Sequence, residues 1–386
     1  MKKILRIINR FNLGGPTYNA AYLTKYLESD YETLLVGGQH DESEKSSMHI
    51  LEGLDLKPII IPEMQRSINL HKDQIAYRKI QNIIKEFKPD IVHTHAAKAG
   101  TLGRRAAYKL GVKQIYHTFH GHVFHSYFGS FKTKIFKEIE RNLAKKTTKI
   151  IAISDIQKRE LSKIHRICPE EKIEVIPLGF DLKRFSTNKD SKRKEFRKKW
   201  NIKENEIAIG IIGRLVPIKN HFFFIDVIQE VLKKSELPIR AFIVGDGEEK
   251  QNIVNYIKGK NLDYSFDYTP ATFQLTSWIK EVDRVNSGMD IICLTSLNEG
   301  TPVSLIEAQA NGKPIVSTKT GGIENIVLEN KTALLSKIND LNSFSKNLLI
   351  LVNDSEKRKL LSKYGLEKSK DFHYNNLINN MKKLYS

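Results

Sequence analysis

The sequence predicts an α/β protein with parallel, doubly wound sheets in two domains. Short apolar segments alternate along the chain with longer segments of helical periodicity, and this alternation is typical of a parallel sheet covered by helices on both faces. With 386 residues the chain is long for one hydrophobic core, so two domains of ordinary size are expected. A hydrophobic content of 40% supports a globular protein.

The charge of the chain indicates an anionic partner. The formal net charge is +19, and residues 1–190 hold 33 Lys and Arg against 21 Asp and Glu. A basic surface favours nucleic acid, anionic lipid or a phosphate-rich substrate, and charge alone does not choose among them. No RNP, helix-turn-helix or zinc-finger pattern supports the first of these.

The chain start and the cysteines bear on the cellular compartment. The N-terminal apolar run is interrupted by Arg6 and Asn9, so it predicts a first strand and not a signal peptide. No stretch approaches the ~18 apolar residues of a membrane span. Cys168 and Cys293 lie far apart in apolar contexts, which predicts buried thiols with neither a disulfide nor a metal cluster. We therefore expect a cytoplasmic protein.

The first domain is predicted to begin with a strand, a glycine-rich loop and a helix. The strand covers 4–8, the loop covers 9–16, and the helix starts at Thr17. Gly14 and Gly15 would let the backbone approach a ligand, although they match neither GxGxxG nor a P-loop, and a tight turn explains them equally well. Further strands are predicted at 33–36, 58–61, 91–95, 114–118, 150–153 and 173–176.

Histidines and one lysine cluster at the carboxyl ends of these strands, where ligands of doubly wound sheets gather. They are His93, His95, Lys98, His117, His120, His122 and His125. Most such histidines are structural, and the candidate we favour is His120, beside the flexible Gly121. We also expect His95 and Lys98 to contact an acceptor. A zinc site is disfavoured because no cysteine or HExxH partner set accompanies them.

The segment Tyr127–Lys149 has apolar residues at helical spacing with lysines between them. An amphipathic helix that packs on the core is the first interpretation, and a helix that touches anionic lipid is the alternative. Residues 176–185 then read as a hinge. The strongly basic stretch 189–200 is interpreted as a solvated helix face.

The second domain is predicted to start with a buried strand at 207–212, followed by a loop and a helix at 221–234. Arg214 and Lys219 lie in that loop, where two cations can hold a diphosphate, although two ordinary surface cations are the alternative. The sequence GDGEEK after the strand 240–244 lacks the third glycine of a dinucleotide fingerprint. Residues 261–277 depart from a compact strand, a strand follows at 290–296, and the chain is predicted to be helical from Leu341, ending in a helix at 374–385.

The stretch NEGTPVSLIEAQANGKPIVSTKTGG, residues 298–322, is the most informative part of the chain. Thr301 is expected to cap a helix with Pro302 in its first position, which leaves the N–H groups of Val303 and Ser304 for an anion. Glu307, in the second turn, leans toward the same helix end and could hold a pair of sugar hydroxyls. A capped surface helix with an exposed glutamate at each end is the plain alternative.

The spacing Glu-x7-Glu around Gly-Thr-Pro, followed by Gly-x-Pro and Thr-Gly-Gly, resembles the donor-site signature of retaining glycosyltransferases of family 4. The Arg214 and Lys219 pair is also similar to that family's diphosphate-binding pair. The resemblance implies the GT-B fold, with two Rossmann-like domains facing a central cleft. It implies an acceptor-binding domain over 1–180, rejoined by a C-terminal helix at about 371–386, and a nucleotide-sugar-binding domain over 181–370.

The resemblance further implies a nucleoside-diphosphate sugar as donor, with UDP preferred, retention of anomeric configuration, and neither metal nor other cofactor. The acceptor would be a glycan or a lipid-linked sugar in cell-surface polysaccharide synthesis, at the inner face of the cytoplasmic membrane. The catalytic residues implied are His120, Arg214, Lys219 and Glu299. The donor-binding residues implied are Gly14, Gly15, Gly300, Thr301, Pro302, Val303, Ser304 and Glu307.

Two other functions remain open at this point. A sugar-nucleotide epimerase shares the GT-B architecture but would need its own acid and base carboxylates and not this Glu-x7-Glu spacing. A nucleic-acid-binding protein would explain the net charge of +19. Formation of an epimer from the donor alone would indicate the first, and salt-sensitive DNA binding without transfer would indicate the second.

Overall fold

The computed structural model of the protein describes residues 1–12, 14–27, 29–40, 46–65, 67–121 and 130–386, with the backbone alone at 130–132. The chain divides into two units. The first contains Met1–Phe180 together with Phe372–Ser386, and the second contains Asp181–Asp371.

The first unit alternates strands and helices, as the sequence predicts. Its strands are β1 Lys2–Arg10, β2 Tyr31–Gly38, β3 Ile59–Ile60, β4 Ile91–His95, β5 Gln114–Phe119, β6 Lys149–Ala152 and β7 Ile173–Val175. Its helices are α1 Gly15–Lys25, α2 Met48–Gly53, α3 Leu70–Phe87, α4 Ala97–Lys109, α5 Ser130–Lys145 and α6 Asp155–Arg159, followed by a π-helical turn at Glu160–Ile164 and a 3-10 turn at Glu170–Lys172.

The first sheet is parallel throughout, in the order β3-β2-β1-β4-β5-β6-β7. The central strands β4, β5 and β6 are buried on both faces because helices cover each side of the sheet, whereas Ile59 of the edge strand β3 is 39% exposed. The order reverses between β1 and β4. Ligands of such sheets bind outside the carboxyl ends of the strands at this reversal, where Gly14 and Gly15 follow β1 and His95 ends β4.

The second unit repeats the pattern. Its strands are β8 Ile207–Ile212, β9 Ile239–Val244, β10 Tyr264–Ser265, β11 Phe273–Ser277, β12 Ile291–Leu294, β13 Ile315–Thr318 and β14 Ala333–Ser336. Its helices are α7 Lys183–Ser186, α8 Lys189–Lys199, α9 His221–Leu232, α10 Lys250–Gly259, α11 Val282–Gly288, α12 Val303–Asn311, α13 Ile323–Ile326, α14 Leu341–Asn353 and α15 Ser355–Ser369, with a 3-10 turn at Pro217–Lys219. A further 3-10 turn, Lys370–Phe372, ends at the first residue of the C-terminal segment that belongs to the first unit.

The second sheet is also parallel, in the order β10-β11-β9-β8-β12-β13-β14. Its core joins the strand interiors to α9 and α14, with Phe224, Phe273 and Phe344 fully buried. The order reverses between β8 and β12, so the loops that follow these two strands are neighbours. The predicted α/β class with two Rossmann-like, doubly wound domains is confirmed.

The last helix, α16 Tyr374–Tyr385, belongs to the first unit. Leu377, Ile378 and Met381 are buried in a cluster with residues of β1, β4 and β5. At the end of the helix, the Tyr385 hydroxyl lies 2.6 Å from Nδ1 of His93. The C-terminal segment therefore completes the first unit's core.

Two segments differ from the sequence-based interpretation. The stretch 189–200 is more than a solvated face, because Phe196, Arg197 and Trp200 are buried in the second unit. The stretch 261–277 contains the short strands β10 and β11, which extend the sheet beyond β9.

Part of the amphipathic segment 127–149 lies outside the described residues, namely 127–129. Residues 130–145 form α5, in which Leu143 is buried while Ile135 and Ile139 are 44% and 38% exposed, and Lys149 begins β6. The helix thus packs on the core and also presents apolar side chains outward. In the described part of the chain, no helix has both the length and the apolarity needed to cross a bilayer.

Candidate functional site

In the second unit, the predicted site residues lie on the two loops that meet at the reversal of strand order. The loop after β8 carries Arg214 and Lys219, and the loop after β12 carries Glu299. Hydrogen bonds tie the loops together. The Leu297 N–H donates to the Ile218 carbonyl at 2.8 Å, and Thr295 Oγ1 donates to the Lys219 carbonyl at 3.0 Å. Sheet topology therefore brings together residues that are 80 positions apart in sequence.

Lys219 and Glu299 form an ion pair between these loops, from Nζ to Oε1. Their side chains are 19% and 10% exposed, so the pair is largely desolvated. Ser296 Oγ donates to the same Oε1 at 2.6 Å, which fixes the orientation of the carboxylate. Sequence analysis did not single out Ser296. The signal that could have identified it is its position, three residues before Glu299 in a loop that follows a strand.

Arg214 differs from Lys219 in being exposed. Among the described residues, none accepts a hydrogen bond from its guanidinium or forms an ion pair with it. An exposed guanidinium keeps all its donors for a ligand, and its fork of N–H groups suits phosphate oxygens.

Two glycines after β9 hold the Arg214 loop in place. A Cβ on Gly245 would lie 1.8 Å from the Gly213 carbonyl oxygen, and one on Gly247 would lie 2.3 Å from that of Leu215. Their φ angles are 151° and 159°. The loops pair through the Leu215 N–H, which donates to the Asp246 carbonyl at 2.9 Å. The GDG sequence thus packs two loops together.

Helix α12 begins one residue later than predicted. Pro302 is the N-cap, and Val303 is the first helical residue, so the expectation that Thr301 caps the helix is wrong. Proline cannot cap through its side chain, and the first intrahelical bond runs from the Leu305 N–H to the Pro302 carbonyl at 3.1 Å. The N–H groups of Val303 and Ser304 have no backbone acceptor among the described residues. They remain available to an anion, as the sequence predicts.

The Thr-Gly-Gly turn supports this helix end by direct backbone contact. The Gly322 N–H donates to the Glu299 carbonyl at 2.8 Å. A Cβ on Gly321, whose φ is 53°, would lie 2.0 Å from that oxygen, and one on Gly322 would lie 1.7 Å from the Gly300 carbonyl oxygen. Any side chain at these two positions would push the Glu299–Gly300 backbone away.

Glu307 lies in the second turn of α12 with its side chain 17% exposed. Burial raises the pKa of its carboxyl to about 7; Asp283 adds to the rise, while Arg184 opposes it. The nearest cation, Arg184 Nη2, is 3.9 Å from Oε1, at the limit of an ion pair. Glu307 is therefore partly protonated near neutral pH and can donate as well as accept a hydrogen bond.

In the first unit, His120 follows β5 and contacts His95. Nε2 of His120 lies 3.0 Å from Nδ1 of His95, and the two rings are stacked. Burial lowers the pKa of His120 to about 3, so its ring is neutral at pH 7. His95 is fully buried and contacts His120. Its assignment as an acceptor contact stays a prediction.

The other predicted residues of the first unit lie around the same sheet edge. Gly14 is the N-cap of α1 and Gly15 its first residue, two positions earlier than predicted. A Cβ on Gly15 would lie 3.1 Å from Leu178 Cδ1, so a glycine is favoured for close packing. Lys98, at the start of α4, forms an ion pair with Asp73 at 2.7 Å and donates to the Ser67 carbonyl. Its charge is already compensated.

The two units thus carry separate sets of candidate residues. The second unit brings together Arg214, Lys219, Glu299, the Gly300–Ser304 segment and Glu307; the first brings together His95 and His120 near the start of α1. In the described residues, no group of three or more His, Cys, Asp or Glu side chains is arranged to hold a metal ion.

Two family models match the chain, one on each half. Residues 13–184 match the model for Glycosyltransferase Family 4, and residues 192–368 match that for glycosyl transferases group 1. A UDP-Gal:alpha-D-GlcNAc-diphosphoundecaprenol alpha-1,3-galactosyltransferase of Escherichia coli is 31% identical over 325 residues, covering 83% of this chain and 81% of that protein. The capsular polysaccharide biosynthesis glycosyltransferase CapM of Staphylococcus aureus is 24% identical over 345 residues, covering 86% and 87%.

Solved structures agree on the fold. Anabaena HepE in complex with UDP superposes with a TM-score of 0.81 at 18% identity, covering 100% of this chain and 99% of that one. A glycosyltransferase from Rickettsia africae gives 0.80 at 19% identity, covering 100% and 97%. Sequence and fold therefore lead to one assignment: the chain is a glycosyltransferase of family 4 with the GT-B fold.

Proposed function

We propose that the protein is a retaining glycosyltransferase that moves a hexosyl or N-acetylhexosaminyl group from a UDP-sugar to a lipid-linked or glycan acceptor in cell-surface polysaccharide synthesis. The observation that carries this proposal is the cationic edge of the second sheet. There the exposed Arg214, the largely buried Lys219 and the free N–H groups at the start of α12 lie at neighbouring loops.

These groups suit a diphosphate. Arg214 offers a planar set of donors, and the helix end offers two backbone N–H groups with the positive end of the helix dipole. As the bond to the sugar breaks, negative charge grows on the departing diphosphate. Fixed cations at that place stabilise the transition state more than the bound donor, which is the requirement for a faster reaction. Lys219 would then share its charge between Glu299 and the phosphate.

Other residues would hold the sugar and the nucleoside. Glu299, oriented by Ser296, would accept hydrogen bonds from sugar hydroxyls. Glu307, partly protonated, would bind the two ribose hydroxyls, with one oxygen accepting and the other donating. His120, neutral and held by His95, would contact the donor sugar. We assign the acceptor to the first unit, and the diphosphate and nucleoside of the donor to the second.

Retention needs no enzymic nucleophile in this proposal. Glu299 is engaged by Lys219 and Ser296, which leaves it poorly placed as a nucleophile. The acceptor hydroxyl would attack from the face that the leaving group departs from, and a phosphate oxygen would take its proton. No metal is required, because Arg214, Lys219 and the helix end supply the positive charge.

The choice of donor and acceptor draws on the relatives. The E. coli relative is named for UDP-Gal and a diphosphoundecaprenol-linked sugar, CapM is named for capsular polysaccharide biosynthesis, and HepE was solved with UDP. These names support a UDP-linked donor and a lipid-linked acceptor here.

The deciding experiment is a thermal-shift panel of UDP-, GDP- and ADP-sugars. A ligand present at ~100 times its dissociation constant adds ~2.7 kcal/mol to the free energy of unfolding, so the preferred donor is recognisable by its shift. We expect UDP-sugars to give the largest shift and transfer to continue in EDTA. A larger shift with GDP-sugars would refute the UDP assignment. Activity lost in EDTA and restored by Mg²⁺ or Mn²⁺ would refute metal independence.

Replacement of either cation should lower turnover more than donor affinity. For Arg214→Ala and Lys219→Ala we expect kcat to fall by about 10² to 10³, the effect of losing one preorganised electrostatic donor worth ~2.7 to 4 kcal/mol. Steady-state kinetics at saturating donor measure it. Lys198→Ala, in the exposed part of α8, is the matched control and should be near neutral. A folded Arg214→Ala or Lys219→Ala enzyme with unchanged kcat would disprove the role.

Glu307 should make stability depend on pH. Its pKa is about 7 in the folded protein against an ordinary 4.5, so folding favours the protonated form. This preference contributes on the order of 3 kcal/mol to the free energy of unfolding. The contribution is complete below pH 4.5 and is lost as pH rises through 7. Glu307→Gln should therefore gain stability relative to wild type as pH rises over this window. Urea unfolding at several pH values tests it, with the exposed Glu367→Gln as control; equal slopes would contradict the shift.

Peripheral membrane association is the remaining part of the proposal. Helix α5 presents Ile135 and Ile139 to solvent beside exposed Lys134 and Lys145, a combination suited to anionic lipid. We expect co-sedimentation with phosphatidylglycerol vesicles at low salt, and weaker binding by Ile135→Ser/Ile139→Ser. Equal sedimentation with neutral and anionic vesicles would count against it.

A further inference from the structure

The second unit has a cationic cavity at the edge of the sheet opposite the donor-site residues. We call it the basic pocket. It has a volume of about 500 Å³, is open to solvent, and is lined by Arg193, Asp290, Gly312, Lys313, Pro314 and one face of α15. Asp290 directly precedes β12 and Lys313 precedes β13, so the pocket lies at the amino ends of these strands. The residues assigned to the donor follow the carboxyl ends.

One face of α15 forms a wall of the pocket. Its lining residues recur at intervals of three and four, which places them along one side of the helix: Ser355, Arg358, Lys359, Ser362, Lys363 and Leu366. This stripe contains three cations. The helix also packs against α12 in the same unit. Lys363 is exposed and has no ion pair with a described residue. Lys359 pairs with Glu356 at 2.7 Å, but both side chains are over 70% exposed, so solvent screens that pair.

The pocket's carboxylate does not neutralise these cations. Asp290 already binds Arg193 at 2.6 Å and Arg197 at 3.1 Å, and its Oδ2 accepts the Ala208 N–H at 2.8 Å. Two guanidinium groups therefore share one carboxylate. Lys313 and the lysines of α15 are left with an excess of positive charge.

Lys313 is the most constrained cation of the group. Its Nζ donates to the Ser287 carbonyl at 3.0 Å, a neutral acceptor. The pKa of Lys313 is lowered to about 7, chiefly by burial and also by Arg193, Lys189 and Arg197, while Asp290 opposes the shift. A buried ammonium surrounded by cations is costly unless an anion accompanies it.

We propose that the basic pocket binds a phosphate-bearing anion at a site separate from the donor site. Ammonium groups bind phosphate as point charges, and Lys313, before β13, and Lys363, of α15, both line the cavity. None of the described lining residues is aromatic, so the pocket offers no stacking surface for a nucleobase. The recognised chemistry is thus the phosphate itself, carried either by a small soluble molecule or by a lipid headgroup.

The test uses inorganic diphosphate and isothermal titration calorimetry on the full-length protein. We compare wild type with Lys313→Met/Lys363→Ala and with Lys346→Ala, which removes an exposed lysine of α14 outside the pocket. We expect one binding event to weaken at least about tenfold in the double variant, since it loses two cations that face the ligand, and to persist in Lys346→Ala. Lys313→Met removes a desolvated charge, so the double variant should stay folded, as thermal unfolding will verify.

Two results would overturn the proposal. The first is diphosphate binding by the double variant that equals wild type, which would mean that all binding occurs at other sites. The second is an equally large weakening of diphosphate binding in Lys346→Ala. That result would mean that the weakening comes from the lower net charge of the protein and not from the pocket. The donor site is tested separately, by Arg214→Ala. If one of the two assignments fails, the other can still be tested.

A pH series gives an independent readout. The charged groups that face Lys313 are Lys189, Arg193 and Arg197 of α8, Asp290 before β12, and Arg358, Lys359 and Lys363 of α15. The pKa of Lys313 lies near 7. We divide the dissociation constant of the double variant by that of wild type at each pH. The ligand's own titration affects both constants equally and therefore drops out of this ratio. We expect this ratio to fall between pH 6 and 8.5; a constant ratio would exclude Lys313 from the site.

Vesicles distinguish the two sources of phosphate. Co-sedimentation with phosphatidic acid vesicles is compared between wild type and the double variant, with phosphatidylcholine as the neutral reference. If the double variant loses both diphosphate and vesicle binding, the pocket takes a lipid headgroup. If it loses diphosphate alone, the pocket takes a soluble phosphate compound.

Discussion

Close backbone contact between loops at the carboxyl edge of the second sheet is the constraint on which the candidate site depends. Gly245 rests on the Gly213 carbonyl, and Gly321 rests on the Glu299 carbonyl, at distances that no Cβ would permit. These contacts fix the two loops that carry Arg214 and Glu299. A site for a charged ligand needs such rigidity, because misplaced cations gain little from a diphosphate and still lose their hydration.

Charge compensation distinguishes the polar groups that hold the fold from those left for a ligand. Arg240 of β9 forms a bidentate pair with Glu206, which directly precedes β8, and both distances are 2.9 Å. In the first unit, Arg104 pairs with Glu140 at 2.6 Å. Each of these cations is paired with a buried carboxylate. Arg214 has no such partner among the described residues, and Lys313 meets a carbonyl in place of a carboxylate. Uncompensated positive charge therefore occurs at both edges of the second sheet.

The histidines of the first unit illustrate a buried polar chain. His93 bridges the Tyr385 hydroxyl and Thr118 Oγ1 at 2.6 and 2.8 Å, and its ring lies 4.2 Å from that of His95. His95 in turn contacts His120. The C-terminal helix is thereby linked to the start of the loop after β5, so the end of the chain helps to position His120, which is partly exposed.

The sequence by itself determined the parallel α/β architecture, since buried strands of doubly wound sheets are apolar throughout and their periodicity is local. It also indicated the free helix end at Val303 and the family, because the Glu-x7-Glu spacing lies within one continuous segment. Only the tertiary structure decided which distant groups meet. The Lys219–Glu299 pair, the burial of His95 and the gathering of Lys313 with α15 depend on strand order and packing, which no local pattern encodes.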